Sequence, residues 1–199
     1  MNLFVLSANP TEAAEAHADK HVVKMILEAC QMLYSAHWSS AYSGLLEQRS
    51  SVAISRFHKF LHIPPSMVDA PLCSTGESGY KPAHLHHPCT RWVRSSRGNY
   101  EWASTLAVAI GREYTFRYGK EHACMEHANW LSANPPALPT EGLQPFAIAM
   151  KPEYKISDDA IECYHHYYKM SKGERGLLQY TKRSPPEFLK SANIKHQPR

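Results

Sequence analysis

Asp19-Lys20-His21-Val22-Val23-Lys24-Met25-Ile26-Leu27-Glu28 decides how this chain is read. Lys20, Lys24, Glu28, Gln31 and Ser35 follow one another at steps of four, four, three and four, which places them on one face of a helix. Val22, Val23, Ile26, Cys30 and Leu33 fall on the other face and read as core. Two readings of the polar face stand side by side. Lys24 and Glu28 form an ordinary i,i+4 pair that any exposed helix uses. They also form a single carboxylate among lysines, suited to holding an anionic backbone beside chemistry on a sugar or base.

The helix has a legible entrance. Asn9-Pro10-Thr11 offers Thr11 as cap, and Glu12 and Glu15 suit the positive end of the dipole, so the pattern predicts a helix from Thr11 to about His37. Residues 2–6 are a short apolar run, read as an opening strand. Further helices are expected at about Glu47–His62, Thr90–Tyr118, Glu121–Leu131 and from Ser157 to about Lys172. Trp92, Trp102, Leu106, Ala109 and Ile110 face inward, and Gly119 ends the long third helix. Proline and glycine break the chain between these segments, most densely over residues 64–88. The expectation is a mainly α, single compact helical domain over residues 1–190, with long loops, at most a short N-terminal strand and a flexible tail at 191–199.

Composition excludes several classes. The apolar fraction of 43% and charged fraction of 20% belong to a globular protein. Mean hydropathy is −0.45, and no apolar run approaches the length of a membrane span. The start lacks the basic and long apolar segments of an export signal, so the expected location is the cytoplasm. Five scattered cysteines with no CxxC pair read as free thiols. A net charge of +4 permits a nucleic-acid partner. Glycine-rich phosphate loops, GxGxxG, HExxH, GxSxG and the zinc-deaminase signature are all missing. The cluster His84-Leu85-His86-His87-Pro88-Cys89, with His122, Cys124 and His127 further on, carries good zinc ligands. Its spacing matches no zinc module, so no metal and no cofactor are expected. His86 or His87 is read instead as a neighbour of a phosphate or a reacting sugar.

In order along the chain stand Asp19, Lys20, Lys24 and Glu28, then Gly79, Tyr80, His87, Pro88 and Trp92, then Glu113, Tyr114, Arg117 and Tyr118. This order resembles the pyrimidine dimer DNA glycosylases of the endonuclease V type, in their bacterial and phage branch, over roughly residues 1–120. The resemblance implies a small helical DNA repair enzyme that removes damaged or modified pyrimidines from double-stranded DNA and then cleaves the strand as a lyase. It implies that the amine at the chain start attacks C1′ and that a helix glutamate, here Glu28, assists. Asn2 is too large to favour removal of the initiator, so the amine is that of Met1. An α-amine, with a reference pKa of about 8, loses its proton far more easily than a lysine at about 10.4. Lys20 and Lys24, with His21 between them, are expected on the flanking phosphates. His87, Arg91, Arg94, Arg97 and Arg117 extend the expected DNA surface, and Tyr80 or Trp92 would support unstacking of a base, although Trp92 reads first as core. Two other readings remain open: a non-catalytic DNA-binding protein on the same scaffold, and a phage-type enzyme that modifies a pyrimidine base.

Overall fold

In the computed structural model, which describes residues 1–190, the chain is carried by two long helices. These are α2 (Asp19–Leu46) and α5 (Arg97–Tyr118). Around them stand α1 (Pro10–Ala16), α3 (Ser51–Phe57), α4 (Pro88–Val93), α6 (Met125–Ala133), α7 (Ala160–Tyr167) and a terminal turn, α8 (Glu187–Lys190). A π-helical turn, Tyr168–Gly173, continues α7. The result is a mainly α, single compact domain with long loops. The expected tail at 191–199 lies outside the described residues.

The inward faces explain the packing. Val22, Met25, Ile26, Ala29, Cys30 and Leu33 of α2 meet Ala103, Leu106, Ala107 and Ile110 of α5 in one buried cluster. Gly111 lets α2, α5 and α6 close on one another. A Cβ there would stand 2.4 Å from Met125 Sδ and 3.0 Å from Ile26 Cδ1. Trp92 and Trp102 pack edge-to-face at 5.8 Å and close on Phe146 from the 139–150 loop.

Several element boundaries differ from those the sequence suggests. Residues 2–6 form no strand: Leu3–Leu6 run as a buried thread, and His165 Nε2 bonds the carbonyl of Leu6 at 2.8 Å. Asn9, not Thr11, caps α1, with Pro10 at its first position. The expected helix from 11 to 37 breaks at His17 and Ala18, although no breaker residue stands there. Distant groups satisfy the freed backbone instead. Arg117 Nη2 donates to Glu15 O (3.0 Å), Tyr180 Oη to Ala16 O (3.2 Å), and Asp19 N to Gln179 O (2.8 Å). The expected helix from Thr90 to Tyr118 is two, because Ser96 caps α5 through Asn99 N. Val23, read as core, is exposed.

The first turn of α5 is closed by the loop at 139–144. Arg97 N and Gly98 N donate to Pro139 O and Glu141 O at 2.8 and 3.1 Å. Gly98 is required by this approach, since a Cβ there would meet the Gly142 backbone at 2.4 Å.

Arg117 is the charged hub of the fold. Its side chain is fully buried and reaches Glu113 Oε1 at 2.7 Å and Asp19 Oδ1 at 2.8 Å. Arg183 adds a second ion pair to Glu113 at 2.8 Å, and Thr181 donates its N–H and hydroxyl to Asp19. Asp19 and Glu113 both titrate below their usual range. Burial opposes their charge, but hydrogen bonds from Thr181, Arg117 and Arg183 outweigh it.

Arg117→Ala is expected to destabilise the chain by about 3–5 kcal/mol in urea unfolding, because it leaves buried carboxylates short of their counter-charge. Acid is expected to unfold the chain in two stages. Burial lowers His17 from 6.5 to about 4 and His21 to about 3. Stability held by these neutral rings is whole above pH 6.5 and drains as pH falls through the lowered values. The two carboxyls add a further loss as pH drops below their ordinary values of 3.8 and 4.5. Urea midpoints measured across pH test this, and unchanged midpoints from pH 7 to 4 would contradict it.

Candidate active site

The site lies where the chain start meets the middle of α2. Glu28 is buried, 7% exposed, on the face that also carries Lys24. Its Oε1 lies 2.9 Å from Lys24 Nζ, and its Oε2 accepts the Asn2 N–H at 2.8 Å. The same Oε2 is 3.7 Å from the amine of Met1. The Met1 side chain is 2% exposed while the residue as a whole is only half-buried, so its open surface belongs to the main chain. Lys24 is largely in solvent. One carboxylate therefore holds two cationic nitrogens, both within 4 Å by their measured separations.

The terminus is held from several directions. Asn2 Nδ2 donates to Ala149 O at 2.9 Å. Asn2 Oδ1 accepts from Tyr164 Oη at 2.9 Å and from Cys89 Sγ at 3.3 Å. Thr90 Oγ1 points at the Met1 sulfur, 3.9 Å away. Burial keeps Tyr164 and Cys89 protonated, with the Cys89 thiol pushed up to about 11, so both remain donors to Asn2. His87 caps α4, its Nδ1 accepting from Cys89 N at 3.2 Å. Its pKa is lowered by burial and then by the positive charge of the chain start.

The expected site residues divide sharply. Met1, Lys24 and Glu28 come together, while His87 caps α4. Lys20 is exposed one turn before Lys24. Arg91 is exposed and donates to His86 Nδ1 at 3.4 Å. Arg91, Arg94 and Arg97 do not lie along one helix, because α4 ends at Val93 and α5 starts at Arg97. Arg94 is half-buried and pairs with Glu47 and Ser39 beside the end of α2. Arg97 pairs with Glu101 at 2.6 Å. Arg117 is no DNA ligand, since its guanidinium is buried in the hub. Nor is His21, which is buried against Tyr168 Oη and stacked on Phe4 at 4.5 Å. Tyr80 is packed between Tyr34 and His127, and Trp92 is core.

The histidine–cysteine cluster is dispersed. His86 Nε2 bonds Arg49 O, His122 Nε2 bonds Val23 O at 3.0 Å, and His127 Nδ1 bonds Tyr34 Oη at 2.8 Å. Among the described residues, no three His, Cys, Asp or Glu side chains converge as a metal site would require. One turn beyond Glu28, Gln31 lines an open cavity of about 610 Å³. Its walls include Trp38, Tyr80, Cys73, Lys59 and Lys81.

Sequence reasoning missed Asn2 as an anchor, together with Tyr164 and Ala149. Their separations of 147 and 162 residues leave no local signal. Asn2→Ala removes these bonds while leaving Tyr164 buried. The expected cost is about 1–3 kcal/mol in urea unfolding. The α-amine should also react faster with an amine-labelling reagent, followed by peptide mass spectrometry. No family model, curated protein or solved structure matches this chain, so its chemistry is argued from its own geometry.

Proposed function

We propose that this chain is a DNA glycosylase with linked lyase activity on damaged or modified pyrimidines in double-stranded DNA. One observation carries the reading: a terminal amine, held 3.7 Å from a buried carboxylate, on a helix face that also presents Lys24. An amine is a nucleophile only when neutral; Glu28 Oε2, 3.7 Å away, takes its proton through one bridging water and passes it to the ring oxygen as the sugar opens. The amine nitrogen bonds to C1′ as the bond from C1′ to the base breaks, and the base leaves with the electron pair and takes up a proton. The sugar ring opens to an imine. Loss of a proton from C2′ then expels the 3′ phosphate. Glu28 stabilises the cationic sugar in the first stage and takes the C2′ proton in the last.

Lys20 and Lys24 lie on the same side of α2 and hold the phosphates beside the lesion. His87 caps α4, and burial lowers its pKa, so its ring favours the neutral form. The cavity along α2 gives room for a base displaced from the stack, which chemistry at C1′ requires.

Borohydride trapping on ultraviolet-irradiated and undamaged duplex tests this. A covalent adduct on irradiated DNA alone is expected, mapping to Met1. Glu28→Gln keeps the Asn2 N–H acceptor but not the charge, and is expected to lower cleavage at least about 100-fold with DNA binding retained. The absence of both adduct and strand break would overturn the proposal in favour of DNA binding or base modification.

A further inference from the structure

Phe60 is 83% exposed, the most open of the large apolar side chains among the described residues. It ends a single 3-10 turn, His58–Phe60, closed by Leu61 N donating to His58 O at 3.0 Å. The turn is held on both sides. The His58 ring meets the Trp38 ring edge-on at 6.2 Å, and Tyr42 Oη donates to His62 O at 2.9 Å. Pro64 and Pro65 stiffen the chain just beyond. Phe60 is therefore presented outward by a pinned turn.

The turn stands at the lip of the 610 Å³ cavity, whose wall includes its neighbours Lys59 and Leu61. The cavity's contacts with α2 run from Gln31 to Trp38. At about 1.5 Å per helical residue, these lie roughly 4.5 to 15 Å along the axis from Glu28. Base pairs stack at about 3.4 Å, so this span corresponds to one to four base steps from a sugar at Glu28. The charge around the lip favours a polyanion: Lys59 and Lys81 line the cavity against Glu77, and Arg56 is exposed one turn earlier. Tyr80 and Trp92 are committed to packing and are not available for the role.

The geometry points to Phe60 as an apolar wedge that enters the base stack of duplex DNA and unstacks the step beside the lesion, with Lys59 and Lys81 on the adjacent phosphates. This role rests on the glycosylase reading, and Phe60 acts as a positioning residue, remote from the reacting atoms. Because its ring is in solvent, its removal is not expected to lower the melting temperature.

The test uses the whole chain and a duplex carrying one thymine dimer flanked by 2-aminopurine. Anisotropy reads binding, and 2-aminopurine fluorescence at saturating protein reads unstacking. The wild type is expected to bind and brighten the probe several-fold. Phe60→Ala is expected to bind roughly tenfold more weakly and leave the probe dim even at saturation, while Phe60→Leu restores brightening. If the wild type binds but Phe60→Ala brightens the probe equally, or the wild type leaves it dim, the wedge is overturned and the glycosylase reading stands. If the wild type does not bind, both fall.

Discussion

The buried guanidinium of Arg117 is the constraint to which most of the architecture answers. Its Nε pairs with Glu113 on its own helix, Nη1 with Asp19 at the start of α2, and Nη2 with the Glu15 carbonyl near the end of α1. A charge of this kind in the interior is tolerable only when every direction is met by an acceptor. Meeting that demand fixes where α1 must stop, where α2 must begin and how α5 lies against both. The segment Gln179–Arg183 then folds back over the same group, so the end of the described chain is tied to the first helices.

The candidate site uses a different principle. Hydrogen bonds to Asn2 act together with the apolar packing of Leu3–Leu6 to determine where the chain start sits. Asn2 has its main-chain N–H on Glu28 and its side-chain amide divided among Ala149, Tyr164 and Cys89. The residue that at first looks like an obstacle to an N-terminal nucleophile thus immobilises it. Holding an amine beside a carboxylate in advance removes part of the ordering cost that chemistry would otherwise meet.

The sequence makes the helical class legible because helically spaced apolar residues continue over many turns of α2 and α5. Helix ends were legible only where their signals are local, as at Gly119, whose left-handed φ of 70° closes α5. The break at His17 and Ala18 was hidden because it is imposed by Arg117, Gln179 and Tyr180 rather than by any local breaker. Spacing brought Lys24 and Glu28 together correctly, since an i,i+4 relation is a property of the helix itself. It misjudged His21 and Arg117, for a polar residue type says nothing of burial when its counter-groups lie far along the chain. Arg91, Arg94 and Arg97, read as one DNA surface, are divided because the expected helix over them is broken between Val93 and Arg97.

The buried thread at residues 3–6 bears on how the molecule is made. The groups that hold them and Asn2, namely Ala149, Tyr164 and His165, follow 147 to 162 residues later in the chain. Pairings of such long sequence separation form late and slowly. During synthesis this apolar thread must wait without its partners, and the full set of restraints on Asn2 cannot form until residues 149–165 have emerged. Assembly of the site is thereby coupled to the arrival of a distant part of the chain.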